Sequence, residues 1–218
     1  MPEPLIFDHT NPAYRIRWNR SGVNRWNGAY YYSREIVRNI IPNVRTDRNW
    51  VTVNRYGQCA DHSIVFIHNN LNPERYEWLS SYSDLILVCG VPSTCRKVEH
   101  LGKAVYLPLS VDVAYVQQFQ TRKYLNRAFV GRPSKAKGHD FPHYTRIIGG
   151  MRRKQVLEAM APYKSVYAVG RCAIEARILG CKVLPYDERF PNPDVWAVVD
   201  NKVAARKLQG ILAMVDGR

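Results

Sequence analysis

The chain has 218 residues, 46% of them hydrophobic, with 32 Lys and Arg against 18 Asp and Glu, so its net charge is +14. That length holds one large domain or two small ones, and the apolar content is ordinary for a globular core. Composition excludes two classes: the longest apolar runs, such as DLILVCGV, are far short of the roughly 20 residues a membrane helix needs, and five cysteines are too sparse for a disulfide scaffold.

The opening MPEPLIFDHTNPAYRIRW reads as a polar, Pro-containing arm, not a signal peptide. No transmembrane segment is expected, and a reducing, cytoplasmic setting suits the free thiols. The positive charge is not confined to a tail. Residues 1–124 carry a net +5 and residues 125–218 a net +9. A field of that sign concentrates anions: nucleotides, nucleic acid or an anionic membrane surface.

In chain order, strands and helices alternate, as in parallel α/β sheets. Tyr14–Trp18 is a candidate strand, Ser21–Gly28 a polar loop, and Ala29–Ile41 a helix ended by Pro42. Strands follow at Trp50–Val53 and Ser63–His68. Asn72-Pro73 opens a short helix to Ser81. Leu85–Cys89 is a strand, Ser93–Leu101 a helix, Ala104–Leu107 a strand and Asp112–Thr121 a helix. The series restarts at Ala128–Val130. A loop from Arg132 to His143 and a long helix, Tyr144–Ala161, broken at Gly149-Gly150, come next. Val166–Val169 is a strand, Cys172–Leu179 a helix, Lys182–Pro185 a strand and Asn201–Val215 the last helix. The polar stretch at 120–126 divides residues 1–122 from 126–218 as two domains.

Two segments carry the chemistry. In FVGRPSKAKGHD, Phe129 to Asp140, a short strand ends in Gly-Arg, and Lys137 follows Arg132 by five residues. In SVYAVGRCAIEARILGCKVLPYD, Ser165 to Asp187, a strand, a Gly turn and a helix carrying Glu175 lead to another strand. Two cations at a strand end suit a diphosphate, and a carboxylate on a following helix suits ribose hydroxyls. Arg171, just after Gly170, is a third cation, placed at a helix start where backbone N–H groups favour phosphate.

Together these segments resemble the sugar-nucleotide half of GT-B glycosyltransferases, especially the family-4 type. LPLSVD, Leu107 to Asp112, resembles that fold's approach to its interdomain linker. The resemblance implies an α/β protein with two small Rossmann-like domains facing a cleft: an acceptor-side domain, then a donor domain. It implies that Arg132 and Lys137 hold the donor diphosphate and Glu175 the ribose. The co-substrate would be a nucleoside diphosphate sugar, UDP-sugar first, with no tightly bound cofactor and no metal. One position departs from the family. The family's earlier glutamate, eight residues before the second, is Tyr167 here, which leaves the mode of sugar binding open.

Transfer also needs an acceptor positioned and, for inversion, a base. His68 and Asp112 are the candidates, although Asp112, which opens the next helix, suits a helix cap better. Gly22, in the loop SGVNRWNGAYYY, is a candidate for donor or acceptor contact. Residues 15–55 hold nine Arg against Glu35 and Asp47, interleaved with Trp and Tyr. That mixture suits phosphate backbones and unstacked bases, so a modified base in DNA is one expected acceptor. A cell-envelope glycan or lipid is the other. Two further readings keep the fold: a non-enzymatic nucleic-acid-binding protein and a sugar-nucleotide epimerase.

Overall fold

The computed structural model describes residues 6–8, 28–53, 59–68, 73–137, 139–142 and 145–217. Among these residues, contacts divide the chain into two units, one of residues 6–8, 29–108 and 202–217, the other of Gly28 and residues 109–201. The division comes earlier than the polar stretch at 120–126, and the last helix belongs with the first unit. Local bonds explain both. Val111 pairs with Asp200 as an isolated parallel bridge, and Gln120 Nε2 donates to the Ile178 carbonyl at 2.5 Å. In the other unit Gln209 bonds the backbone of Arg45 in both directions.

The first unit is built on five parallel strands, β1 (Ile6–Asp8), β2 (Asn49–Val53), β3 (Ser63–Ile67), β4 (Leu85–Cys89) and β5 (Lys103–Tyr106), in that spatial order. SIVFI and LILVC are buried at every position. Continuous apolar runs are what interior parallel strands require, because both faces are covered. The helix α1 (Gly28–Glu35) passes into a π-helical turn over Ile36–Ile40 and a 3-10 turn containing Pro42. The helix expected to Ile41 is thus three short pieces. α2 (Pro92–Val98) starts with Pro at its first position. Strand β1 falls in the segment expected to be an arm; it pairs in register with β2. The candidate strand Tyr14–Trp18 and the Ser21 loop with Gly22 lie outside the described residues.

The second unit contains α3 (Val113–Gln117), β6 (Leu125–Val130), α4 (Pro133–Ala136), β7 (Arg146–Ile148), α5 (Arg153–Met160), β8 (Tyr163–Tyr167), α6 (Arg171–Ile178) and β9 (Lys182–Leu184). Its sheet is parallel, ordered β7-β6-β8-β9. The expected helix from Tyr144 to Ala161 is wrong in its first half. Arg-Ile-Ile forms β7 by pairing with β6, and Gly150, at φ 69°, turns the chain before the helix. The helix proper begins only at Arg153. α7 (Asn201–Val215) returns to the first unit. There Arg48, its side chain 5% exposed, forks between Asp84 and Asp216 with contacts of 3.1 and 2.8 Å. Arg48 is therefore a structural clasp, and the Arg-rich segment is not uniformly a binding surface.

The two sheets differ in one respect that matters for ligands. In the first, strand order follows the chain without reversal. In the second, the chain leaves β6 for β7 on one side, then crosses to β8 on the other. Loops leaving the carboxyl ends of β6 and β8 therefore part in opposite directions. In open α/β sheets that divergence is where ligands bind.

Candidate functional site

Both sequence segments end at this switch point. After β6, the Gly131 N–H donates to the Ile148 carbonyl at 3.0 Å. A Cβ on Gly131 would come within 3.0 Å of the Phe129 ring, so the turn is tight enough to favour glycine. Arg132 is the extended residue that caps α4, and Pro133 begins the helix. Arg132 and Lys137 are both exposed and form no ion pair among the described residues. After β8, Gly170 takes φ 60° and ψ −135°, a conformation that a side chain strongly disfavours. Its carbonyl accepts from the N–H groups of Ala173 and Ile174, starting α6.

Arg171 and Glu175 are brought together, one turn apart on α6. Arg171 Nε donates to Glu175 Oε1 at 2.7 Å, and Arg153 Nη1, at the start of α5, reaches the same oxygen at 2.6 Å. The side chains are 5%, 3% and 10% exposed for Arg171, Glu175 and Arg153. Arg171 is thus neither a solvated first-turn cation nor an exposed phosphate ligand. The ribose contact expected of Glu175 needs an accessible carboxylate, and this one is buried between two guanidinium groups. Sequence reading missed Arg153. Its signal is weak: a basic run, MRRK, at a helix start that had been placed inside a longer helix.

The remaining candidates separate. His68 follows β3 in the first unit, half-buried, with its ring edge-on to Tyr32 at 5.4 Å between centroids. Asp112, in the second unit, caps α3: its Oδ1 accepts from the Tyr115 N–H at 2.9 Å. That satisfies a helix N–H that would otherwise lack an intrahelical partner. Tyr167, in the place of the family glutamate, packs on Phe141 at 4.8 Å.

The loop after β9 is strongly polarised. Arg189 makes a two-pronged contact with Asp187, Nε to Oδ1 at 2.9 Å and Nη2 to Oδ2 at 2.7 Å. That bond holds the Asp187 carboxyl down to about 2, against the opposing effect of burial. His139 Nε2 lies 3.7 Å from the same carboxylate. Burial pushes the neighbouring Tyr186 hydroxyl up to about 12, with Asp187 adding to it. The thiols of Cys59, Cys89, Cys95 and Cys181 are all shifted upward by burial, so none is poised as a nucleophile.

Among the described residues no group of three or more His, Cys, Asp or Glu is placed to hold a metal ion, and no helix is long and apolar enough to cross a membrane. Comparison with known protein families, with curated proteins and with solved structures gives no match.

Proposed function

We propose that the second unit binds the diphosphate of a nucleoside diphosphate sugar and that the protein is a glycosyltransferase of GT-B type. The observation that carries this reading is the reversal of strand order between β6 and β8. It assembles, at one sheet end, an exposed Arg132 and Lys137 and the glycine-opened start of α6. A departing diphosphate gains negative charge as the glycosidic bond breaks. Arg132 and Lys137 offset that charge, and the first-turn N–H groups of α6 add a fixed dipole of the right sign. Buried Glu175 acts here as a positioning residue: it holds Arg171 and Arg153 in place behind the turn. Asp112 is committed to its cap. The acceptor is proposed to be a base hydroxyl in DNA, on the strength of the net +14 and the Arg and aromatic residues of 15–55.

The test is calorimetric titration of the full chain with UDP and with inorganic pyrophosphate, followed by transfer assays with UDP-sugars. Arg132→Ala and Lys137→Ala should each weaken diphosphate binding and cut transfer about 30- to 1000-fold, with the fold intact. Wild-type binding and rates in both variants overturn the phosphate site.

A further inference from the structure

Six rings form a connected chain along the carboxyl ends of β6, β8 and β9. Phe129, fully buried, meets Phe141 at 5.3 Å and Tyr186 at 5.1 Å. His139 contacts Phe141 at 5.7 Å and Tyr186 at 5.2 Å. Phe190 lies against Tyr186 at 5.8 Å, and Tyr167 against Phe141 at 4.8 Å. Phe129 alone is a core residue; the other five are only half-buried. A cleft of about 670 Å³ opens against His139, Tyr186 and Phe190, with Asp187 and Arg189 on its wall. The cleft is open to solvent and its lining is more polar than apolar, so a ligand there would lie against the ring wall and not inside an enclosed cavity.

The neighbours of the cleft indicate what fits. Lys137 lies two residues before His139, so at most about 7 Å of chain separates them. Arg132 leaves the strand that supplies Phe129. An anion held by these cations and a ring held in the cleft are then a short reach apart, as the two ends of a nucleotide are. Asp187, its side chain 5% exposed and its oxygens taken up by Arg189, holds that guanidinium in place; Arg189, 72% exposed, presents its remaining N–H groups at the edge of the cleft, where the acceptor atoms on the edge of a heteroaromatic base can receive them. A cleft meant for an alkyl chain would gain nothing from a charged pair on its wall.

We propose that the cleft bordered by His139, Tyr186 and Phe190 is a nucleobase pocket, in which the rings stack the base and Arg189, held by Asp187, donates to its polar edge. This rests on the reading of the second unit as a nucleotide-donor site, and it names the part of the donor that this loop recognises. The Tyr186 hydroxyl stays protonated at neutral pH and serves as a donor.

The experiment compares inorganic pyrophosphate with UDP, ADP and GDP by calorimetry on the full chain. The tightest nucleotide should bind better than pyrophosphate. Phe190→Ala should weaken that nucleotide about 5- to 150-fold, the range for losing one base-stacking ring, and leave pyrophosphate unchanged. Phe190→Tyr should restore the affinity, and matching unfolding temperatures without ligand show that the fold is intact. Arg132→Ala should weaken nucleotide and pyrophosphate alike. If nucleotide and pyrophosphate bind equally, or Phe190→Ala affects neither, the base pocket is wrong while the diphosphate site stands. If methyl β-D-glucoside binds and its binding depends on Phe190 while the nucleotides do not, the cleft is a sugar site and the proposal is overturned. If neither nucleotide nor pyrophosphate binds, the donor reading and this proposal fall together.

Discussion

Glu175→Gln keeps the shape of the side chain and removes only its charge. In the structure one carboxylate oxygen, Oε1, receives Arg171 at 2.7 Å and Arg153 at 2.6 Å, with all three side chains at most 10% exposed. An exposed ion pair contributes about 0–1 kcal/mol, and its loss would hardly register. Breaking a buried pair costs about 3–5 kcal/mol, because guanidinium groups already stripped of water lose their counter-charge. For a chain of this size each kcal/mol moves the melting temperature by about 2–4 °C, so the variant should melt roughly 6–20 °C lower. Differential scanning calorimetry at low and at high salt measures this, and the loss should persist in high salt because buried pairs are poorly screened. Replacing all three residues with apolar ones of similar size (Arg153→Met, Arg171→Met, Glu175→Leu) should recover most of the loss. A melting temperature unchanged in Glu175→Gln would refute the triad and return Glu175 to the role of an accessible ribose ligand.

Gly170→Ala should destabilise by about 1–3 kcal/mol through backbone strain alone, since the nearest side chain is 3.9 Å from the added Cβ; urea denaturation measures it, and a neutral result would mean that the turn relaxes. Arg48→Met should cost about 2–4 kcal/mol by leaving Asp216, 12% exposed, without its cation; the same titration reads it, and a loss below about 0.5 kcal/mol would remove Arg48 from the clasp. Asp187, whose folded pKa is depressed to about 2 from an ordinary 3.8, stabilises the loop above pH 4. That contribution should fade as pH falls from about 4 to 2. Asp187→Asn should therefore show a flatter acid unfolding profile than wild type over that window, and identical profiles would contradict the Arg189 fork.

Much of the strand pattern was legible in the sequence, and the physical reason is local. SIVFI and LILVC are apolar at every position, and an interior parallel strand is the short element that tolerates that. Asn201–Val215 shows its apolar side chains on one face and is a helix over those residues. Asp112 was legible as a cap, because the side chain that serves a helix N–H lies next to it in the chain. Cases decided at a distance were not legible. Arg-Ile-Ile at 146–148 becomes a strand because β6 is there to pair with it, not because three residues dictate it. The place of Glu175 on a helix after a Gly turn is visible in the sequence, but its partner Arg153 stands 22 positions earlier. Only the fold, which brings the Arg153 side chain from the start of α5 to Glu175, changes the carboxylate from an open ligand into a buried counter-ion. The rings of residues 129, 141, 167, 186 and 190 are scattered along the chain, and the order of the strands gathers them. Local residue chemistry set the elements and the turn glycines. Strand order, which depends on contacts between distant segments, decided which side chains share a site.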